Sequence, residues 1–324
     1  KNEHPRALAE LEAIFLHALE REYPNIAAQL RGPEATLADK VLAVAQAFST
    51  RLSRLVAHWI RVGYCQGNFN SDNCAVGGWT LDYGPFGFME AYDPMFQMWI
   101  GGGEHYSFMN QPMAAAMNFN MFCTAVMPLL GQDANAIQKL SEIVEVLPEL
   151  MSREMQRMWA EKMGLVEFHM ALFAELHTLM AETPVDYTIF WRELSNLPRQ
   201  VAALCPGFYE TRGAYGQDRV AIEARWTAWL QKWHAALEQE RRDPASVSAA
   251  MKRVNPKYIP REWMMVEAYR RATDAGDYSL VQLLHDVLED PYGEQSEAVA
   301  ALYYKKKAEK FFDLGGTSHC SCSS

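Results

Sequence analysis

Between Gly63 and Pro112 the chain abandons every regular period, and this stretch constrains the fold more than any other. It carries Gly63, Gly67, Gly77, Gly78, Gly84, Gly87 and the run Gly101-Gly102-Gly103, with Pro85, Pro94 and Pro112 among them. Glycine frees the backbone and proline removes a donor, so this density breaks helices. The only strand candidates are two short runs, Ala75-Val76 and Trp79-Leu81. So long an irregular stretch inside a compact domain is either functional or disordered. Its many Phe, Tyr and Trp residues favour an ordered, functional one.

On both sides the pattern is helical. From Thr36 to Val62 the apolar positions Leu37, Val41, Val44, Phe48, Leu52, Leu55, Trp59 and Val62 recur every three or four residues. That spacing makes one apolar stripe and predicts one long amphipathic helix. Pro5 to Leu30 reads as one or two helices with a break at Pro24. Helices are expected again over roughly 111–130, 133–147, 150–163, 165–181, 219–240, 245–253, 260–275, 278–289 and 294–312. The stretch 183–218 is less regular, and the Gly/Ser-rich tail from Gly315 to Ser324 is expected to be mobile. The fold class is therefore mainly α.

Composition removes some functions. The formal net charge of −10 argues against a general nucleic-acid binder, which needs clustered Lys and Arg to displace counterions. It leaves ATP open, because one phosphate chain needs only a local cation. The apolar stretch Met113 to Leu130 is interrupted by Asn118, Asn120 and Thr124, and fits a buried helix better than a membrane span. The first residues, Lys1-Asn2-Glu3-His4-Pro5, lack the apolar core of a signal peptide and an initiator Met. A fragment or processed product is expected, with any targeting segment outside it. Cys65, Cys74, Cys123 and Cys205 are scattered and Cys320 and Cys322 sit on the tail, so no disulfide framework is expected and a reducing compartment is.

The chemistry concentrates in Gln66-Gly67-Asn68-Phe69-Asn70-Ser71-Asp72-Asn73, followed nine residues later by Asp82-Tyr83-Gly84. Protein kinases use a similar layout, a catalytic loop ending in Asn, a hairpin, then Asp-Phe-Gly. Mg2+ bridging phosphate oxygens needs hard oxygen ligands, and one amide and one carboxylate from two loops supply them. With Asn73 aligned to the kinase Asn, Asn68 falls where kinases keep the catalytic Asp. An amide cannot accept a proton as that carboxylate does. Asp72 is the one carboxylate left in the loop and is the candidate base. Taken alone, Asp-Asn is a common turn pair and Asp-Tyr-Gly a weak signal. Their order, after a long helix and inside an aromatic loop, is what carries weight.

Gly67-Asn68-Phe69-Asn70-Ser71-Asp72-Asn73 and Thr80-Leu81-Asp82-Tyr83-Gly84-Pro85-Phe86-Gly87-Phe88 closely resemble the core signature of the selenoprotein O family. The resemblance continues through Tyr92-Asp93-Pro94, Tyr106-Ser107-Phe108-Met109-Asn110-Gln111-Pro112, Asn255-Pro256-Lys257-Tyr258-Ile259, Gly276-Asp277-Tyr278 and the ending Cys322-Ser323-Ser324. It implies a kinase-like fold that binds ATP in a flipped orientation and transfers AMP to Ser, Thr or Tyr hydroxyls of proteins. By position, Asp72 is then the proton acceptor, Asn73 and Asp82 hold Mg2+, and Asp82 also serves the bound ATP. The family's usual His is Gln66 here. The Cys that members often carry after Asp-Tyr-Gly, able to pair with the tail, is absent from Phe96-Gln97-Met98-Trp99. The Gly-rich loop, strand lysine and partner glutamate of the family's amino lobe are also missing, so the chain alone is expected to bind ATP poorly.

The expected organisation is one kinase-like helical lobe, 1–312, with a small β element, the catalytic and metal loop at 63–112 and added helices, then a flexible Cys-containing tail, 313–324. The expected partners are proteins bearing hydroxyl side chains, with no nucleic acid and no membrane, in bacterial cytoplasm or mitochondrion. Two further readings are a catalytically inactive pseudokinase scaffold and a thiol-redox protein acting through Cys320 and Cys322. His319-Cys320-Ser321-Cys322 could bind a soft metal or act as a redox pair; structural zinc usually takes four ligands at wider spacing, so a mobile tail with thiol chemistry is the better reading. Met151, Met155, Met158, Met163, Met170 and Met180 recur at helical spacing and read as core, although methionines also line adaptable grooves. His169 and His177 read as core or surface residues, Glu238 to Asp243 as a polar helix end, and Lys305-Lys306-Lys307 as a solvated helix face.

Overall fold

The computed structural model describes residues 5–81, 83, 87–98, 103–308 and 312. Among them the helices are α1 (Pro5–Glu22), α2 (Pro24–Gln29), α3 (Leu37–Val62), α4 (Gln111–Val126), α5 (Ala134–Lys162), α6 (Met170–Glu182), α7 (Tyr187–Leu194), α8 (Arg219–Gln239), α9 (Pro244–Val254), α10 (Glu262–Ala275), α11 (Ser279–Glu289) and α12 (Glu297–Tyr303). Extended pairing among the described residues is limited to four isolated antiparallel bridges, Tyr64–Phe88, Cys74–Thr80, Ala91–Asp186 and Val185–Phe208. The chain is mainly α. The two strand candidates flank a turn closed by the single Cys74–Thr80 bridge, so the β element is smaller than a hairpin ladder.

Helix boundaries follow local chemistry where that is strong and packing where it is not. Pro24 opens α2 at a position whose N–H has no intrahelical partner. α5 runs through Pro148, where two helices are expected from the sequence. An interior proline costs roughly 3 kcal/mol, but Leu147 and Met151 beside it are both buried, and packing of an apolar face supplies most of a helix's stability. α6 begins at Met170 rather than 165. Among the described residues of the expected helix 294–312, the helical ones are α12, started by Ser296, whose hydroxyl accepts the Val299 N–H. The three lysines lie past its end: Lys305 stands over the Trp263 ring, Lys306 donates to the Phe208 carbonyl and Lys307 faces the Phe312 ring.

The chain divides into two compact units. The first comprises Lys1–His58, Asn68–Tyr83 and Asn110–Met155, the second Trp59–Gly67, Gly84–Met109 and Gln156–Ser324. In the first, the predicted stripe of α3 is the core: Val41, Val44, Phe48 and Leu52 are buried, and the Phe48 ring meets Phe119 at 5.6 Å and Phe122 at 5.1 Å. Phe108–Leu130, which includes α4, is long and apolar enough by length and composition to cross a membrane, and α4 buries Ala114, Ala115, Asn118, Phe119, Cys123 and Val126.

In the second unit α8 presents Trp226, Trp229 and Trp233 along one face, all buried. Each indole N–H finds an acceptor: Thr183 Oγ1 at 2.8 Å, Leu172 O at 2.9 Å and Met163 O at 2.8 Å. These three large rings thus enter the core with their donors paired. Of the spaced methionines, Met151, Met158, Met163 and Met180 are core, while Met170 is exposed.

Candidate catalytic and metal loop

Phe69 is buried in the first unit and anchors the loop that carries Asp72 and Asn73. One amide on α4 holds the loop at two points. Asn118 donates Nδ2 to the Phe69 carbonyl at 2.8 Å, and the Ser71 hydroxyl donates to Asn118 Oδ1 at 3.1 Å. The polar residue that interrupts an apolar helix is therefore a loop support, and the interruption is the only trace of it in the sequence. Asn70 is extended, and the chain then turns through a 3-10 helix, Ser71–Asn73.

Asn73 donates Nδ2 to the Asn68 carbonyl at 2.9 Å, closing the loop on itself. This bond orients the amide and leaves Oδ1 as its remaining ligand atom. Asp72, on the same turn, is exposed and makes no hydrogen bond or ion pair with the described residues. Asp82 lies outside the described residues; it follows Thr80, the far side of the Cys74 bridge, by two positions. The structure thus brings Asp72 and Asn73 onto one turn. Mg2+ takes hard oxygens at octahedral geometry and uses few carboxylates. The donor set fits: Asn73 offers an amide oxygen, and Asn70 Oδ1 is buried with no hydrogen-bond partner among the described residues.

Gln66 belongs to the second unit, where it is buried and its Oε1 accepts the Tyr64 hydroxyl at 2.6 Å. Other signature residues of this unit are framework. Asn255 is fully buried; Nδ2 donates to Lys162 O and to Ser195 Oγ, both at 3.1 Å, and Oδ1 accepts from Lys162 Nζ at 2.8 Å. Gly276 ends α10 with φ +63°, and Asp277 Oδ1 accepts the Ser279 N–H at 3.0 Å to start α11. Asp186 caps α7 by accepting the Ile189 N–H at 3.0 Å and takes both Nη atoms of Arg261 at 2.8 Å, while Arg261 also donates to Glu90. Sequence reading missed this buried cluster, because isolated acidic and basic residues carry no period.

Four cysteines, Cys65, Cys74, Cys123 and Cys205, are free, and burial pushes the Cys74 thiol up to about 12. Such thiols are inert near neutral pH. His319, Cys320 and Cys322 lie outside the described residues.

The family model described as "Protein adenylyltransferase SelO" matches residues 3–289. The chain is similar to "Protein nucleotidyltransferase YdiU" of Thiobacillus denitrificans, 35% identical over 290 residues that cover 88% of this chain and 55% of that protein. It is also similar to the protein of the same description from Burkholderia multivorans, 33% identical over 328 residues that cover 97% and 58%. The chain spans little more than half the length of these relatives. With a family model over most of its length and these relatives beside it, the chain belongs to the protein adenylyltransferase SelO family.

Proposed function

We propose that the protein carrying this chain transfers AMP from ATP to Ser, Thr or Tyr hydroxyls of other proteins, with Mg2+ as the metal. The observation that carries this reading is the turn Ser71–Asn73, which sets a carboxylate that is exposed and unpaired among the described residues beside an amide with its donor already engaged. In a member of a protein adenylyltransferase family, that pairing suits one residue to proton transfer and the next to metal binding.

Asp72 takes the proton of the acceptor hydroxyl as that oxygen attacks the α-phosphorus. A new P–O bond forms, the bond from the α-phosphorus to the bridging oxygen breaks, and pyrophosphate leaves. Exposure makes Asp72 accessible to a side chain presented on another protein. Asn73 Oδ1 and the Asp82 carboxylate would hold Mg2+, which when bound neutralises charge on the phosphate oxygens. Asn118 and Phe69 keep the turn in place while this happens.

The experiment is label transfer with the protein at the length of its relatives, using ATP labelled at either the α- or the γ-phosphorus. Adenylylation deposits the α label on protein and releases the γ label as pyrophosphate. Deposition of the γ label would instead mark ordinary kinase chemistry and overturn the reading.

A further inference from the structure

α4 turns an uncharged face to water. From Phe108 to Leu130 the chain carries no Asp, Glu, Lys or Arg. One side of α4 is packed into the first unit through Ala114, Ala115, Asn118, Phe119, Cys123 and Val126. Along the other, Met113, Met117 and Met121 are 69%, 58% and 54% exposed. Their four-residue spacing puts them in one line on the helix. Asn120, Thr124 and Ala125 are the other exposed positions of α4, so no charge stands on this face.

α5 shows the ordinary pattern in the same unit, exposing Lys139, Glu142, Glu145, Glu149 and Arg153. Charged residues on the solvent side are the rule for a helix packed on one face. A line of methionines in their place is the kind of apolar surface that a partner covers, and the flexible thioether adapts to an irregular one. The relatives point to the occupant. This chain spans 55% and 58% of two of them, so a protein of their length has much sequence beyond it. The two ends of the chain belong to different units. Lys1–His58 lies with α4 in the first, and Gln156–Ser324 is part of the second. Sequence ahead of α1 therefore joins the unit that carries the methionine line. α1 itself packs on Met127–Leu130, the 3-10 turn that continues α4.

We propose that Met113, Met117 and Met121 form the seat of the segment that precedes this chain in the longer protein. Asn118, one position past Met117, donates to the Phe69 carbonyl and accepts the Ser71 hydroxyl. A segment seated on the methionines thus lies beside the loop that carries Asp72 and Asn73. The seat does not depend on the roles proposed for those two residues.

The test is methionine oxidation by hydrogen peroxide on the protein at the length of its relatives, read residue by residue by peptide mass spectrometry. The same residues in urea-unfolded protein give the fast reference, and Met163, fully buried, gives the slow one. Under a seated segment, Met113, Met117 and Met121 should oxidise as slowly as Met163. Oxidation near the unfolded rate would overturn the proposal. A photo-crosslinking side chain at position 117 of the same protein identifies the cover, and it should link to a peptide that precedes this chain. A link to another part of this chain, or to a second copy, would overturn the proposal. So would protection of the three methionines that appears only when anionic phospholipid vesicles are added.

Discussion

The loop of the first unit and the polar interior of the second treat their carboxylates in opposite ways. In the loop, Asp72 is exposed and unpaired among the described residues, next to an amide fixed by a single donor bond. In the second unit, Asp186 is fully buried and its oxygens accept from the Ile189 N–H, both Nη atoms of Arg261 and the Tyr209 hydroxyl. Beside it burial raises the Glu90 carboxyl against the opposing pull of Arg261. A carboxylate with every lone pair occupied has nothing left to offer a substrate. One left open beside an oriented amide does. The family's signature residues therefore divide into those that hold the fold, such as Asn255, and those left exposed, such as Asp72.

The sharpest way to break this contrast is at Arg261. Arg261→Met leaves Asp186 and Glu90 as buried carboxylates without their cation, which typically costs about 3–5 kcal/mol. Denaturant unfolding should show the loss, and a variant as stable as wild type would remove the cluster from the framework. Asp72→Asn should do the reverse. Its rate of AMP transfer should drop by about 100- to 10,000-fold, as loss of a general base does. Its stability should stay within about 0.5 kcal/mol of wild type, as for exposed substitutions that break no contact.

Two pH measurements sharpen the contrast further. Burial, with Arg61 nearby, drives the Lys162 ammonium well below its ordinary 10.5. Its Nζ donates to Arg61 O at 2.7 Å and to Asn255 Oδ1 at 2.8 Å, which holds it at this buried position. The unfolded chain then binds more protons than the folded one between that lowered value and 10.5, so stability rises with pH across the window. Lys162→Met should flatten that rise in melting curves taken at increasing pH.

The smallest effect is expected at Glu294, held down to about 2 by Lys257 and Arg192. With the folded value below the ordinary 4.5, its contribution is complete above about 4.5 and disappears as pH falls towards 2. Its side chain is 62% exposed, so Glu294→Gln should remove only a small part of the acid-induced loss, read from unfolding midpoints between those pH values.

What could be read beforehand follows from where information is periodic or local. The α3 stripe is legible because a single buried face repeats through the helix, and the Pro24 break because proline acts on its own backbone. α7 is not legible: Tyr187, Thr188, Ile189, Phe190 and Trp191 are all buried, so no polar face marks a period. The continuity of α5 through Pro148 is set by packing that no local rule contains. The order of the loop residues singles out Asp72, Asn73 and Asp82; of these Asp72 and Asn73 share one turn, and Asp82 lies outside the described residues. The support was not legible, because Asn118 reaches the loop from 49 positions away.

The central claim is that this loop serves adenylyl transfer. Its most direct test is intact-mass spectrometry of the full-length protein and an acceptor protein after incubation with Mg2+ and ATP, beside Asp72→Asn and Asp82→Ala. The account predicts a gain of one AMP unit that needs the metal, is slowed in the first variant and is absent in the second. A gain of one phosphate, or an AMP gain undiminished in both variants, would contradict it.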